Sequence, residues 1–502
     1  MSVLVVGAGP TGLAVACGLR SAGVQVRVFD RATGPAVTSR ALGLQPRGVE
    51  VLARLGALGD LPARSLPIGQ VVVSINGREV GRLAMGRPTR LVRRPGLLVS
   101  QAEIEAQLRC RLAELGDAAQ WGREVVDLEQ DPSGVTVRLV DGETLRTGWV
   151  VGCDGAHSVV RKAAHIGFPG VPLVERFLLA DVQAELPLPR DTVAVWLRGQ
   201  DMLAAFPLPG VDLWRLMAPA PAGEAVQGDA VLDALTGLLT IHAGYPAGVV
   251  RGAQWTSTFR FHRRLADTYR QGRVLLAGDA AHIHSPFGGQ GLNTGIGDAE
   301  NLAYKLALVT EGRAGAVLLD SYQAERRPVA AEVLASTSSM TRLVLGDTAV
   351  ARLVRDRVFV PLLNRPWVQR RIWERASQLT LSYRASPRRW FSSCQPGDRI
   401  PDLGCRRQDG AGTRLHAELG PRWAVLAAPS ATAQGCLEIA RGRLGADRVV
   451  GLTPDGPPPP AVLLVRPDAH LAWRGRTSDG LRRWLAGALD PDAATTHQAT
   501  PR

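Results

Sequence analysis

Arg273 to Leu306 reads RVLLAGDAAHIHSPFGGQGLNTGIGDAENLAYKL. Its apolar opening, Val274 to Ala277, has the pattern of a buried strand that stops at Gly278. Asp279 follows at once, and then a loop punctuated by Pro286, Gly288, Gly289 and Gly291. Beyond the loop Leu292, Ile296, Ala299, Ala303 and Leu306 recur at spacings of four and three, which predicts an amphipathic helix. A strand therefore gives way to a helix N-terminus through backbone almost bare of side chains. Such a terminus carries unpaired N–H groups and a partial positive charge, so it can hold an anionic or electron-rich group without a basic side chain.

The other end of the chain suggests what that group is. Val3 to Val6, followed by Gly7-Ala8-Gly9-Pro10-Thr11-Gly12, is a buried strand entering a tight glycine turn, and Leu13 to Leu19 reads as a buried helix. In this pattern Gly7 permits the turn, Gly9 lets a pyrophosphate approach the backbone, and Gly12 seats the helix close to the strand. A second strand, Val24 to Phe29, ends in Asp30, with Arg31 next. A carboxylate there can accept both hydroxyls of an adenosine ribose. The order strand, turn, helix, strand, acid predicts dinucleotide binding; the alternative is a glycine-rich turn with no ligand. Two later stretches are weaker alone. Gln101, behind Ser100, reads as a capping or surface residue, and Asp154-Gly155 after the strand Trp149 to Gly152 reads as a turn.

Bulk properties narrow the field. A chain of 502 residues exceeds one core, so about two to four domains are expected. The net charge of +13 points superficially to nucleic acid, but every basic residue except Lys162 and Lys305 is arginine, scattered without a stripe or basic tail. We read it as compositional bias. Six cysteines lie far apart with no C-x-x-C, as suits reduced thiols in a cytoplasmic protein. No apolar run approaches a membrane span, and Val3 to Val6 runs into the glycine turn as a strand, not a signal peptide.

G-A-G-P-T-G at the start, C-D-G-A-H-S-V-V-R from Cys153 and A-G-D-A-A-H…P-F-G-G-Q-G-L-N from Ala277 together resemble, in order, the three fingerprints of the group A FAD-dependent aromatic hydroxylases. The resemblance covers residue 1 to about 380. The tail, with P-G-D-R-I-P-D at 396–402 and V-L-L-V-R-P-D-A-H-L-A-W-R at 462–474, resembles the thioredoxin-like C-terminal domain of the actinomycete aromatic polyketide hydroxylases. This likeness implies FAD, with NADPH or NADH as co-substrate and O2 as oxidant. It assigns Gly7, Gly9 and Gly12 to the pyrophosphate and Asp30, in place of the more usual Glu, to the ribose. Arg40 would lie by the pyrophosphate and the nicotinamide entry, Gln101 by the ribityl chain, and Asp154 and Gly155 by the pyrophosphate side. Asp279, after Gly278, is expected on a ribityl hydroxyl. The Gly289, Gly291, Leu292 and Asn293 backbone would stabilise negative charge on reduced flavin. Pro286 would face the flavin C4a-hydroperoxide and the carbon to be hydroxylated, in a site closed to water. Arg161 is expected to orient Asp154. His282 and His284 lack an acidic or cysteine partner at ligand spacing, so no metal is expected, and His282 is read as structural.

The implied fold is α/β: a Rossmann-like FAD-binding domain (1–70, 98–170 and 268–320) with an interleaved antiparallel β-sheet substrate domain (71–97 and 171–267). A helical connector (321–385), a thioredoxin-like domain (386–488) and a disordered tail (489–502) follow. Short alternating strands and Pro/Gly turns mark the substrate half, and Asn76-Gly77 reads as a hairpin turn. Trp196, Met202, Phe206, Trp214, Phe259 and Phe261 are candidate cavity residues, though each reads first as core. The tail domain lacks C-x-x-C and reads as a packing or homodimerisation module. The expected activity is hydroxylation of a phenolic polycyclic substrate; Baeyer–Villiger oxygenation or inactivation of a rifamycin- or tetracycline-like antibiotic are the rivals on the same scaffold.

Overall fold

The structure is a computed structural model describing all residues except 37–40, 90, 200, 222–225, 285–288, 346–352, 355, 356, 359, 385–393, 458 and 491–502. The side chains of 171–175, 260–262, 336–345, 360 and 363 are also outside the description. Arg40, Pro286, the Phe261 side chain and residues 491–502 of the expected tail therefore lie outside the described residues.

The three glycine-bearing turns follow neighbouring strands. One six-stranded sheet runs Arg270–Gln271, Val274–Leu276, Trp149–Gly152, Val3–Val6, Val26–Asp30, Ala119–Trp121, parallel throughout except for the first pair. Strands covered on both faces read as unbroken apolar runs, and Val3–Val6 and Trp149–Gly152 are buried at every position. Because these strands point the same way, Gly7, Asp30, Cys153 and Ala277 all leave at one carboxyl edge, where α/β sheets bind ligands. Helix Pro10–Ser21 lies against helix Gln290–Thr310. Gly18 permits that approach, since a Cβ there would sit 2.6 Å from the Ala303 Cβ.

A second sheet of eight strands is antiparallel except where Thr192–Arg198 pairs with Gln70–Ile75. The hairpin Gln70–Ile75 and Arg78–Ala84 joins it through Asn76 (φ 50°) and Gly77 (φ 78°), the left-handed pair of a two-residue turn. Its far edge, His282–Ile283, pairs with Arg264 and Leu265, so the third motif is itself an edge strand. Alternation divides the faces. Leu178, Leu203, Trp214, Leu216 and Trp196 pack under helix Asp229–Ala243, while Phe177, Leu179, Met202, Met217 and Phe259 face the other way. Trp196 and Trp214 are thus core residues of the helix-covered face and not cavity residues. Met202 and Phe259, with Phe206 packed beside them, belong to the opposite face.

Residues 404–489 form another six-stranded sheet with helices Ala431–Leu444 and Ser478–Leu489. It docks on the second half of helix Gln290–Thr310 through buried ion pairs. Glu325 accepts Arg466 Nη1 (2.6 Å), Arg466 Nη2 (2.8 Å) and Lys305 Nζ (2.8 Å). Glu300 accepts Arg54 Nε (2.6 Å) and Arg47 Nη2 (2.9 Å), and Arg47 also donates to the Asp468 carbonyl (3.0 Å). Among the described residues no helix is long and apolar enough to cross a membrane.

Candidate active site

At the carboxyl edge the turns interlock through missing Cβ atoms. A Cβ on Gly12 would lie 1.9 Å from the Gly7 carbonyl oxygen, and one on Gly7 (φ +104°) 2.3 Å from the Cys153 carbonyl oxygen. The Thr11 side chain fills the space between the third turn and its helix, where a Cβ on Gly278 or Gly295 would meet Thr11 Oγ1 at 2.5 or 2.4 Å. The first turn is thereby locked to the second and the third. Gly9 differs, because a Cβ there meets nothing within 4 Å. Its bareness serves the open space above the turn, beside the first N–H groups of helix Pro10–Ser21, which no side chain caps.

Asp30 accepts Ala8 N at 2.7 Å on one oxygen and Ala32 N at 2.8 Å on the other. Each oxygen keeps a further lone pair for a hydroxyl donor. Arg31 beside it is exposed. Gln101 begins helix Gln101–Glu114, capped by Ser100, and donates to Glu105 Oε1 at 2.7 Å. Glu105 escaped the sequence reading. Burial raises its carboxyl above the usual range, against the Gln101 hydrogen bond and Arg109. Its spacing of four from Gln101 on a helix was the available signal.

In the second motif Asp154 is a cap. Ser158 Oγ donates to Oδ1 (2.6 Å), and Val159 N (2.7 Å) and Val160 N (3.2 Å) donate to Oδ2. Arg161 does not orient it as expected. Its Nη1 donates to the Ala280 carbonyl (2.9 Å) and its Nη2 to the Ala156 carbonyl (3.1 Å), with the guanidinium 3.8 Å from the Phe168 ring centroid. Arg161 therefore ties the second turn to the third, and backbone amides do the orienting. Gly155, at φ +78°, faces open space.

The third motif holds two carboxylates of opposite character. Asp279 is open to solvent on the floor of the crevice and has no hydrogen-bond partner among the described residues. Although part of the side chain meets solvent, burial of its carboxyl among the surrounding atoms raises it above the usual range, with His282 pulling the other way. Asp298 is fully buried and saturated: it accepts His282 Nε2 (2.6 Å), Gly278 N (3.2 Å) and Arg326 Nε (2.7 Å). Burial opposes its ionisation, yet His282 and Arg326 hold it below the usual range. Asp298, sixteen residues after His282 and one helical turn past Thr294, is the acidic partner that local spacing hid.

Gly289 caps helix Gln290–Thr310 in the left-handed region (φ +59°) without a side-chain bond, so the first-turn N–H groups lack intrahelical partners. Gly291 and Leu292 are half-buried there. The Asn293 carboxamide is fully engaged. Gln45 N donates to its Oδ1 (2.8 Å), and its Nδ2 donates to the carbonyls of Gly289 (2.7 Å) and Gly43 (3.3 Å). Its side chain positions the terminus; only its main chain belongs to it.

The parts present suit a flavin dinucleotide: an open glycine turn, a ribose-facing carboxylate with spare lone pairs, a carboxylate awaiting donors, and an uncapped helix terminus at one sheet edge. They define a dinucleotide-binding oxidoreductase fold. Residues 1–337 match the FAD binding domain family and residues 393–491 the family described as aromatic-ring hydroxylase, C-terminal. The chain belongs to the FAD-dependent aromatic-ring hydroxylases. It is 36% identical to the 6-methylpretetramide 4-monooxygenase of Streptomyces rimosus, over 95% of this chain and 91% of that one. It is 38% identical to a rifampicin monooxygenase of Streptomyces venezuelae, over 95% and 96%. Its fold matches the ternary complex of aklavinone-11 hydroxylase with FAD and aklavinone at a TM-score of 0.80 and 26% identity, covering 97% and 99% of the two chains. It is an FAD-dependent monooxygenase, with NADPH or NADH as co-substrate.

Proposed function

We propose that this monooxygenase hydroxylates a phenolic polycyclic substrate of the aromatic-polyketide type, held between the inner face of the eight-stranded sheet and the carboxyl edge of the parallel sheet. The observation that carries this reading is the make-up of that inner face. Phe177, Leu179, Met202, Met217 and Phe259 give it a broad apolar surface suited to a fused-ring system. Arg215 on the same face is already held by Asp181, Nε to Oδ1 at 2.7 Å and Nη2 to Oδ2 at 2.9 Å, so its charge is matched before any small carboxylate arrives.

In this reading Gly7, Gly9, Pro10, Thr11 and Gly12 take the FAD pyrophosphate, Asp30 and Arg31 the adenosine end, and Gln101 and Asp279 the ribityl hydroxyls. Asp154 and Gly155 flank the pyrophosphate, and Gly278 shapes the turn that carries Asp279. Gly289, Gly291, Leu292 and Asn293 present main-chain N–H groups to the pyrimidine edge. Arg40 and Pro286 keep the roles that the resemblance gives them. Bound FAD supplies electron transfer from the nicotinamide and activation of O2. The chain's own residues orient it, offer dipoles where negative charge gathers, and exclude water. The division into FAD-binding segments, substrate sheet, connector and redox-inert thioredoxin-like module belongs to the same proposal, as do homodimerisation and a cytoplasmic setting. The strand order in the last sheet and the free state of the described cysteines support it.

The test is a panel of tetracycline, anthracycline, angucycline and rifamycin scaffolds, scored for faster nicotinamide consumption under isotopically labelled O2. Gain of one labelled oxygen on an aromatic carbon supports the proposal. Consumption without incorporation overturns it, and a lactone product selects the Baeyer–Villiger rival.

A further inference from the structure

Behind the third turn runs a chain of side chains with one open end. Asp298 is fully buried and its charge is already matched by Arg326 at 2.7 Å. His282, also fully buried, gives Nε2 to Asp298 at 2.6 Å. His284 Nε2 lies 2.7 Å from His282 Nδ1. His284 is 7% exposed, and its Nδ1 is buried with no hydrogen-bond partner among the described residues. That ring borders the N-terminus of helix Gln290–Thr310, its Cδ2 3.9 Å from where a Cβ on Gly291 would stand.

The hydrogen bonds dictate the tautomers. An ionised Asp298 accepts, so His282 donates from Nε2 and, when neutral, must accept at Nδ1. With His282 neutral, His284 must donate from Nε2, which leaves its Nδ1 a bare lone pair. A buried acceptor without a donor is costly to keep, and the ring that carries it stands, by its Cδ2 edge, beside a terminus built to attract anions. We propose that Asp298, His282 and His284 form a one-proton store that opens at that terminus through His284 Nδ1 and fills when negative charge appears on the ligand there.

A proton arriving at Nδ1 allows His284 to pass its Nε2 proton to His282, so that the added charge comes to rest between His282 and Asp298. No bond other than N–H forms or breaks, and the proton comes from solvent or from the bound substrate. Burial, then repulsion from a charged His282, holds His284 well below the usual histidine range, so the two rings together hold one added proton and not two. Arg326 cancels Asp298, while Tyr269, Tyr322, Tyr383 and the Cys153 thiol are kept neutral by burial. Asp279, across the turn, is the remaining anion facing His282. Reduced FAD, anionic on its pyrimidine edge, is the ligand whose charge would fill it, so the inference rests on the FAD seating proposed above.

The experiment uses the FAD-loaded enzyme with nitrogen-15 histidine. His284 is assigned through His284→Gln and its ring signals are followed through anaerobic reduction at neutral pH. The expected result is a bare Nδ1 in the oxidised enzyme and a protonated Nδ1 after reduction. In parallel, the wild type takes up about one proton per flavin more than His284→Gln, as linkage between charge and proton binding requires. A His284 Nδ1 that is already protonated when oxidised, or stays bare when reduced, overturns the store while leaving the FAD assignment intact. Equal proton uptake by two yellow, folded proteins does the same. If the wild type binds no FAD, both the seating and the store fall. The nitrogen signals of the wild type decide the matter even if the variant does not fold.

Discussion

Helix Gln290–Thr310 meets opposite conditions at its two ends. At its start a left-handed glycine, a first turn without a side-chain cap and the carboxyl of nearby Asp279 leave polar groups without partners among the described residues. In its second half Glu300, Asn301 and Lys305 are buried and paired with Arg47, Arg54, Glu325 and Asp468, although Asn301 Oδ1 has no hydrogen-bond partner among the described residues. The groups at the start are exposed or half-buried, so solvent can meet them without a large penalty and a ligand can replace that solvent. The paired end fixes the position of the open one. Function is concentrated where the fold is left incomplete.

Five substitutions sharpen this contrast. The largest loss is expected from Glu300→Ala, which strips the carboxylate from two buried arginines. Removing one partner of a buried ion pair costs about 3–5 kcal/mol, and denaturant unfolding should register it even with FAD bound. Asp279→Ala should do the reverse. Its carboxylate has no partner among the described residues to lose, so stability without ligand should hold, while a charge-assisted hydrogen bond worth about 1.5–3 kcal/mol disappears from FAD binding. Fluorescence titration would then read about 10- to 100-fold weaker affinity. A yellow, tightly loaded Asp279→Ala protein would break the comparison.

Smaller still is Gly9→Ala. A Cβ there touches nothing in the chain, so folding should be unchanged within about 0.5 kcal/mol, yet crowding of the pyrophosphate should weaken FAD binding about tenfold, a modest overpacking cost. Gly12→Ala is the control, since its Cβ would collide with the Gly7 carbonyl and harm folding itself. Lys305→Met should matter least at neutral pH, because Glu325 keeps both arms of Arg466. Burial, partly offset by Glu325, lowers Lys305 from 10.5 to about 8. Between those values the unfolded chain binds more protons than the folded one, so wild-type stability should rise with pH across that window. The rise should vanish in Lys305→Met, as thermal unfolding across the window would reveal.

Much of the site was legible because its signals are local. Gly7 to Gly12, Asp154-Gly155 and Gly278-Asp279 each follow an apolar strand, and a strand ending in a glycine turn can be read without knowing what lies beside it. Asn76-Gly77 was legible for the same reason. Glu105 and Asp298 were not, since each acts on a residue reached only after the helix has wound or the sheet has closed. Trp196 and Trp214 read first as core and are core, but alternation could not separate them from the cavity candidates, because it tells which residues share a face and not which face a helix will cover.

From its order of residues alone, then, this chain dictates where its strands stop in glycine and where a bare helix terminus must stand, because those are matters of steric freedom and apolar period over a few neighbours. Only the folded arrangement decides that three such turns leave neighbouring parallel strands at one edge. It also decides that Asp298 is used up while Asp279 stays open, and that two histidines end in a buried ring nitrogen without a partner among the described residues. Those outcomes depend on contacts between segments far apart along the chain, and pairing between distant groups is governed by packing, which no local pattern contains.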